Sequence, residues 1–226
     1  MKHSSLVFAL SLLLLAPACS KSEISDAPAA EVSDTGMTAT VSDTSATTAT
    51  QASGPVTTAQ VIKEKSSIDF VGAKVTRDHK GKFHNFDGSI EYAGATPQKI
   101  AFEIDVASLQ TDDAKLDGHL KTADFFDVEK FPKATFTSTS LTAGAPAGSP
   151  PGTTHLLTGT LNMHGVDKEV SFPVVTQQTP EGVRATSEFT INRHEWGISY
   201  KGMADDLIKD NVLIKLNMLF PPPPAA

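Results

Sequence analysis

Asp112, Asp113, Asp117, His119 and Asp124 bring carboxylates and an imidazole together in one short stretch. Residues of these types can hold a metal ion or pass a proton. Their spacing matches no ligand motif, however, and Asp is also a residue type that opens helices, because its carboxylate accepts from free backbone N–H groups. A helix start is the plainer reading, with His119 in a structural hydrogen bond beside a barrel mouth or against a ligand head group. His194-Glu195 begins like the helix motif of zinc proteases, but Ile198 stands where the second histidine is required. His164 precedes Gly165 in a hairpin turn, where a local turn bond is expected. No G-x-S-x-G elbow, Walker loop or dinucleotide fingerprint occurs in the sequence, so no catalytic residue or metal ligand is assigned and no enzyme activity is expected. Arg193, close to Trp196 at a strand end, has two readings: a brace for the end of the fold, or a partner for a ligand phosphate.

These side chains need a scaffold, and composition limits what it can be. The chain has 226 residues with a net charge of −7 and no basic run, which argues against nucleic-acid binding. Lys2 and His3, an apolar run from Leu6 to Leu15 and then small residues follow the order of an export signal over residues 1–18. The run is too short to span a membrane. Cys19 is the only cysteine, so disulfides within the chain are excluded. Its position resembles the lipidation site of bacterial lipoproteins. Ala16-Pro17-Ala18 also fits ordinary signal cleavage. On the first reading Cys19 is a lipid anchor, and Ser20 after it resembles an outer-membrane sorting signal, giving an exported protein of the cell envelope or periplasm.

Residues 19–58 are dominated by Ser, Thr, Ala and Asp, and are expected to be a disordered tether with a reach of roughly 35 Å. Pro221–Pro224 cannot continue a paired strand, so the last strand should stop near Phe220 and leave a Pro-rich tail over 221–226. Between them, residues 59–220 form one domain of period-2 segments separated by turn signals. Phe86, Ile90 and Tyr92 share a face, with Gly88 relieving crowding on it. Facing sets follow at Ile100, Phe102, Ile104 and Val106, at Leu157, Leu161 and Met163, at Val170, Phe172 and Val174, at Val183, Ala185, Phe189 and Ile191, and at Val212, Ile214, Leu216 and Met218. Together with runs near 66–76 and 133–141, about eight strands result.

One stretch between the third and fourth strands has a helical period. Thr111 is placed to cap it, Asp112 and Asp113 suit its positive end, and Leu116 and Leu120 share one face. A second turn from Thr122 presents Phe125 and Phe126. The expected fold is therefore all-β: an eight-stranded antiparallel barrel with a short helical excursion acting as a flap over one end.

Several segments resemble the YceI-like family. They are FHNFDGSIEY (83–92), HLKTADFFDVEKFP (119–132), LTGTLNMHGVDKEVSFPV (157–174), INRHEWGISY (191–200) and ADDLIKDNVLIKLNM (204–218), which together extend the similarity over about 59–220. The resemblance implies a lipocalin-like barrel that binds a polyisoprenoid or similar long-chain lipid in an elongated apolar pocket. Phe86, Ile90, Phe102, Ile104, Leu116, Leu120, Phe125, Phe136, Leu161, Phe172, Phe189 and Trp196 are the positions expected to meet it, with Arg193 or His119 at a polar head group. The only non-protein group expected is a bound isoprenoid lipid or quinone. The expected partners are that lipid and, through Cys19, a membrane. A barrel filled by its own side chains, serving as a structural or interaction module, is the rival reading.

Overall fold

Alternation of apolar and polar residues fixes which face of each strand turns inward, and a curled antiparallel sheet is the result. The structure is a computed structural model that describes residues 23–35, 56–203 and 206–223. The signal segment, Cys19, most of the 19–58 stretch and the end of the Pro-rich tail lie outside the described residues. The elements are β1 (Glu31–Asp34), β2 (Val56–Gln60), β3 (Ser67–Ala73), β4 (Asp78–Phe83), β5 (Phe86–Ala93), β6 (Thr96–Asp105), β7 (Leu109–Thr111), α1 (Ala114–Leu120), β8 (Lys133–Ala143), β9 (His155–Met163), β10 (Val166–Thr179), β11 (Gly182–Asn192), β12 (Gly202–Met203), β13 (Asp206–Leu207) and β14 (Asn211–Phe220).

The expected eight strands reappear once three local breaks are recognised. A 3-10 turn at Lys63–Lys65 separates β2 from β3, His84-Asn85 separates β4 from β5, and a 3-10 turn at Val106–Ser108 separates β6 from β7. Each pair is one bent stave, since β4 pairs with β3 and β7 while its continuation β5 pairs with β2 and β6. The staves then run β8, β9, β10, β11 and β14, and β14 returns to β3 from Leu213↔Val71 to Asn217↔Ser67. α1 lies between the third and fourth staves, where the periodicity places it.

The wall parts in two places. Toward one end β2 follows β5 and leaves β14, with Ile62 N–H donating to Leu219 O at 2.8 Å where they separate. Between β10 and β11 the ladder runs only from Val175↔Thr186 to Thr179↔Gly182. Beyond that point β1 fills the opening. It pairs antiparallel with β10 from Glu31↔Ser171 to Asp34↔Lys168, while Ala30 N–H donates to Thr190 O and Thr190 N–H to Pro28 O, both at 2.8 Å.

This corrects the reading of 19–58 as an unbroken disordered tether. Residues 23–35 form a strap on the barrel, and β2 already begins at Val56. Bulk composition hid the strap because only a few apolar side chains carry it. Ile24 covers Val71, Ala73 and Leu213 from outside, and all four are buried. Val32 packs on the main core. The backbone supplies the rest, because β10 and β11 would otherwise bury unpaired N–H and C=O groups where they diverge.

Inside, aromatic rings lie flat on glycines of the wall. A Cβ at Gly88 would sit 2.4 Å from the Phe102 ring, and one at Gly159 would sit 2.5 Å from both the Phe136 ring and Thr137 O. The crowding that Gly88 relieves comes from Phe102.

A divided apolar lumen as candidate functional site

Among the described residues the lumen shows a cavity toward each end and a packed middle. The first, about 130 Å³, lies under α1. Asp113, not Thr111, caps this helix, its carboxylate accepting from Lys115 N at 2.9 Å and Leu116 N at 3.4 Å. Thr111 instead donates through its N–H and hydroxyl to Asp117 Oδ1, both at 2.6 Å. Capping orients Leu116 and Leu120 onto the barrel end, where they line the cavity with Phe125, Phe70 and Phe83.

The acidic stretch is thereby dispersed into local bonds. Asp112 pairs with His79 Nδ1 at 2.8 Å. Burial acts to raise its carboxyl, but the His79 bond and charge, aided by Arg77, hold it below the ordinary carboxylate range. His119 Nε2 meets Asp124 Oδ2 at 2.8 Å, and its ring stands edge-on to Phe125 and Tyr200, each 5.0 Å away.

Arg193 and Trp196 lie at this same end, so the helical flap and the Arg–Trp pair share one end of the barrel. Arg193 is 4% exposed. Its Nε donates to Lys209 O at 3.2 Å, Nη1 to Ile198 O at 2.6 Å, and Nη2 lies 3.7 Å from Asp210. Burial lowers its pKa against the opposing charge of Asp210. Trp196, fully buried, donates from Nε1 to Leu161 O at 3.1 Å. His164 and Gly165 both have positive φ (51° and 75°) and make the tight β9–β10 turn. His164 Nδ1 reaches Trp196 O at 3.0 Å, a long-range tie where a local one was expected. The geometry of Arg193 and Trp196 is that of a brace.

In the middle, Phe172 and Phe189 stack 4.1 Å apart with rings 11° from parallel, and Phe136 leans on Phe172 at 5.7 Å. This cluster fills the lumen between the cavities. Six of the twelve expected lipid contacts, Phe86, Ile104, Phe136, Leu161, Phe189 and Trp196, line neither cavity and pack among themselves or their neighbours.

The second cavity, about 230 Å³, lies at the far end. Ile90, Phe102 and Phe172 line it, as do several polar residues that the sequence reading did not single out as a site: Tyr92, His155, Thr176 and Gln178. His155 Nδ1 bonds Thr154 Oγ1 at 2.8 Å, which in turn bonds Thr176 Oγ1 at 3.1 Å. Tyr92 is 2% exposed, and its hydroxyl finds no hydrogen-bond partner among the described residues. Burial raises its phenol above the ordinary tyrosine value. A tyrosine within an otherwise apolar inward set was the one signal that could have marked it.

A curled antiparallel barrel with a largely apolar lumen and a helix over one end is a lipocalin-like fold. Residues 60–220 match the YceI-like domain, and the chain belongs to that family. A UPF0312 protein of Pseudomonas putida F1 is 32% identical over 145 residues, covering 60% of this chain and 71% of the relative. One from Photorhabdus laumondii is 38% identical over 92 residues, 40% of this chain and 44% of its own length. Among solved structures, Burkholderia cenocepacia BcnA superposes with a TM-score of 0.61 at 24% identity, over 70% of this chain and 98% of that one. A polyisoprenoid binding domain from Saccharophagus degradans, implicated in plant cell wall breakdown, gives 0.58 at 18% identity, over 75% and 100%. At these identities both likenesses speak to the fold.

Proposed function

We propose that this barrel binds and shields or carries a long, slender apolar lipid in the cell envelope, a polyisoprenoid or isoprenoid quinone being the best match. One observation carries the reading: the inward face is predominantly apolar and holds a cavity toward each end, with the stacked Phe172 and Phe189 rings and their neighbours between them. The description of the Saccharophagus degradans neighbour as a polyisoprenoid binding domain supports it. Each methylene moved out of water contributes about 0.8 kcal/mol, and a bilayer offers nearly the same gain. Transfer between membrane and barrel is then close to balanced, as exchange requires. Binding without catalysis is the role we assign.

The envelope setting rests on the N-terminal sequence. If Cys19 carries the lipid anchor, the strap shortens the leash sharply. Docked from Glu23 onward, it leaves a few residues between anchor and barrel, a reach of roughly 15 Å. Released, the stretch to Val56 would reach roughly 120 Å.

The filled-barrel reading draws on the same middle cluster, since neither cavity alone attains the roughly 300 Å³ of a common ligand pocket. Mass spectrometry separates the two readings. Full-length protein purified from its native membranes without detergent should release a long-chain lipid into an organic extract. Protein that yields none, and takes up no long-chain prenol added later, is a filled barrel.

A further inference from the structure

We propose that Tyr92 is the polar contact for the ligand's head group in the far-end cavity, and that the group it accepts is an uncharged oxygen, a hydroxyl or carbonyl, rather than a phosphate or carboxylate. The proposal rests on the lipid-binding reading and adds which way the ligand lies and which head groups it can carry.

A buried hydroxyl without a partner is costly in a folded protein, and the few that persist ask for an explanation. Tyr92 is 2% exposed, lines the cavity, and its Oη has no partner among the described residues. Its position is fixed by the wall: it pairs with Thr57 on β2 and with Pro97 on β6, beside a register shift between Glu91 and Tyr92. Thr57 Oγ1, on the strand paired to it, is likewise buried without a partner. Two unmatched hydroxyls on adjoining strands mark this end of the lumen as incomplete in hydrogen bonding. A ligand oxygen supplies what the Tyr92 O–H lacks.

The same lining argues against charge. Among the described residues no Lys, Arg, Asp or Glu lines this cavity, whose ionisable lining groups are Tyr92 and His155. A phosphate or carboxylate entering it would lose its hydration without gaining a permanent cation. Arg193 cannot serve, because it sits at the opposite end with its donors directed to Lys209 O, Ile198 O and Asp210. The head group therefore stays at the far end and the tail points toward α1, through the phenylalanine cluster.

The test measures binding of geranylgeraniol, geranylgeranyl phosphate and the corresponding hydrocarbon to delipidated full-length protein and to Tyr92→Phe. Wild type should bind the alcohol at least tenfold more tightly than the phosphate. Tyr92→Phe should weaken the alcohol about tenfold, or about 1.4 kcal/mol, and leave the hydrocarbon unchanged. Equal affinity for alcohol and phosphate overturns the proposal, as does an alcohol affinity that survives Tyr92→Phe. If hydrocarbon and alcohol bind equally, the lipid-binding reading stands and Tyr92 is excluded; if no probe binds wild type, that reading itself fails and takes the proposal with it. Should Tyr92→Phe not fold, the tyrosine absorbance of Tyr200→Phe decides: a shift with the alcohol but not the hydrocarbon supports the proposal, and no shift overturns it.

Discussion

The two ends of the barrel are built from the same alternating strands but treat their polar atoms in opposite ways. At the helix end Arg193 directs donors to two carbonyls and Asp210, Trp196 donates to Leu161 O, and His164 meets Trp196 O. At the far end Tyr92 and Thr57 bury hydroxyls with no partner among the described residues, and β2 has left β14. Saturated hydrogen bonding makes a floor, because any movement there would strand buried groups. Unmatched hydroxyls leave bonds to be made, which is the ground for the proposed head-group contact at Tyr92.

The largest effect should come from Trp196→Ala, which empties a fully buried site and removes the donor to Leu161 O. Urea unfolding should show a loss of about 3–5 kcal/mol. Tyr92→Phe at the other end should change ligand-free stability by less than about 1 kcal/mol, or raise it, because the lost hydroxyl had no bond to forfeit. Comparable losses at both sites would remove the distinction between the ends. Ile24→Ala should cost about 2–3 kcal/mol, since Ile24 is 7% exposed over Val71, Ala73 and Leu213. It should also render 23–35 sensitive to protease while the barrel stays folded; an unchanged cleavage pattern would mean that the strap does not depend on Ile24. Asp113→Ala removes the α1 cap and should cost about 1 kcal/mol.

The staves were legible in the sequence wherever apolar residues alternate cleanly, as in FDGSIEYA or NVLIKLNMLF. β4, DHKGKF, escaped because its alternation is mostly polar, and Gly81 stands under the Phe70 ring. β1 escaped because backbone pairing in a split wall leaves no hydrophobic signature. Of the expected lipid contacts, Leu116, Leu120 and Phe125 line the helix-end cavity, and Ile90, Phe102 and Phe172 line the far one. Period-2 reading finds the inward face but cannot say which inward residues meet space and which meet each other, since that depends on how rings from different strands interlock. It also could not show that α1 and the Arg–Trp brace share an end, because that follows from stave order and direction.

The smallest effect is confined to alkaline solution and isolates the far end. Burial raises the Tyr92 phenol above 10.0, while the unfolded chain ionises near that value. Below it both states hold the proton and Tyr92 adds no pH dependence. Above it the unfolded state loses its proton first, so stability falls as pH rises toward the folded pKa, by up to about 1.4 kcal/mol per pH unit. The chain has only two tyrosines, so Tyr200→Phe leaves Tyr92 alone in a spectrophotometric titration. Its phenolate should appear at higher pH in the folded protein than in urea. The alkaline loss of stability should shrink when Tyr92→Phe is introduced, the lysine contribution being common to both proteins. A bound neutral ligand that accepts from Oη holds the proton more tightly still, so the titration should move up again with geranylgeraniol present. A Tyr92 that titrates at the same pH folded and unfolded would place its hydroxyl in contact with water, and the far end would then be an open rim with no site for a head group.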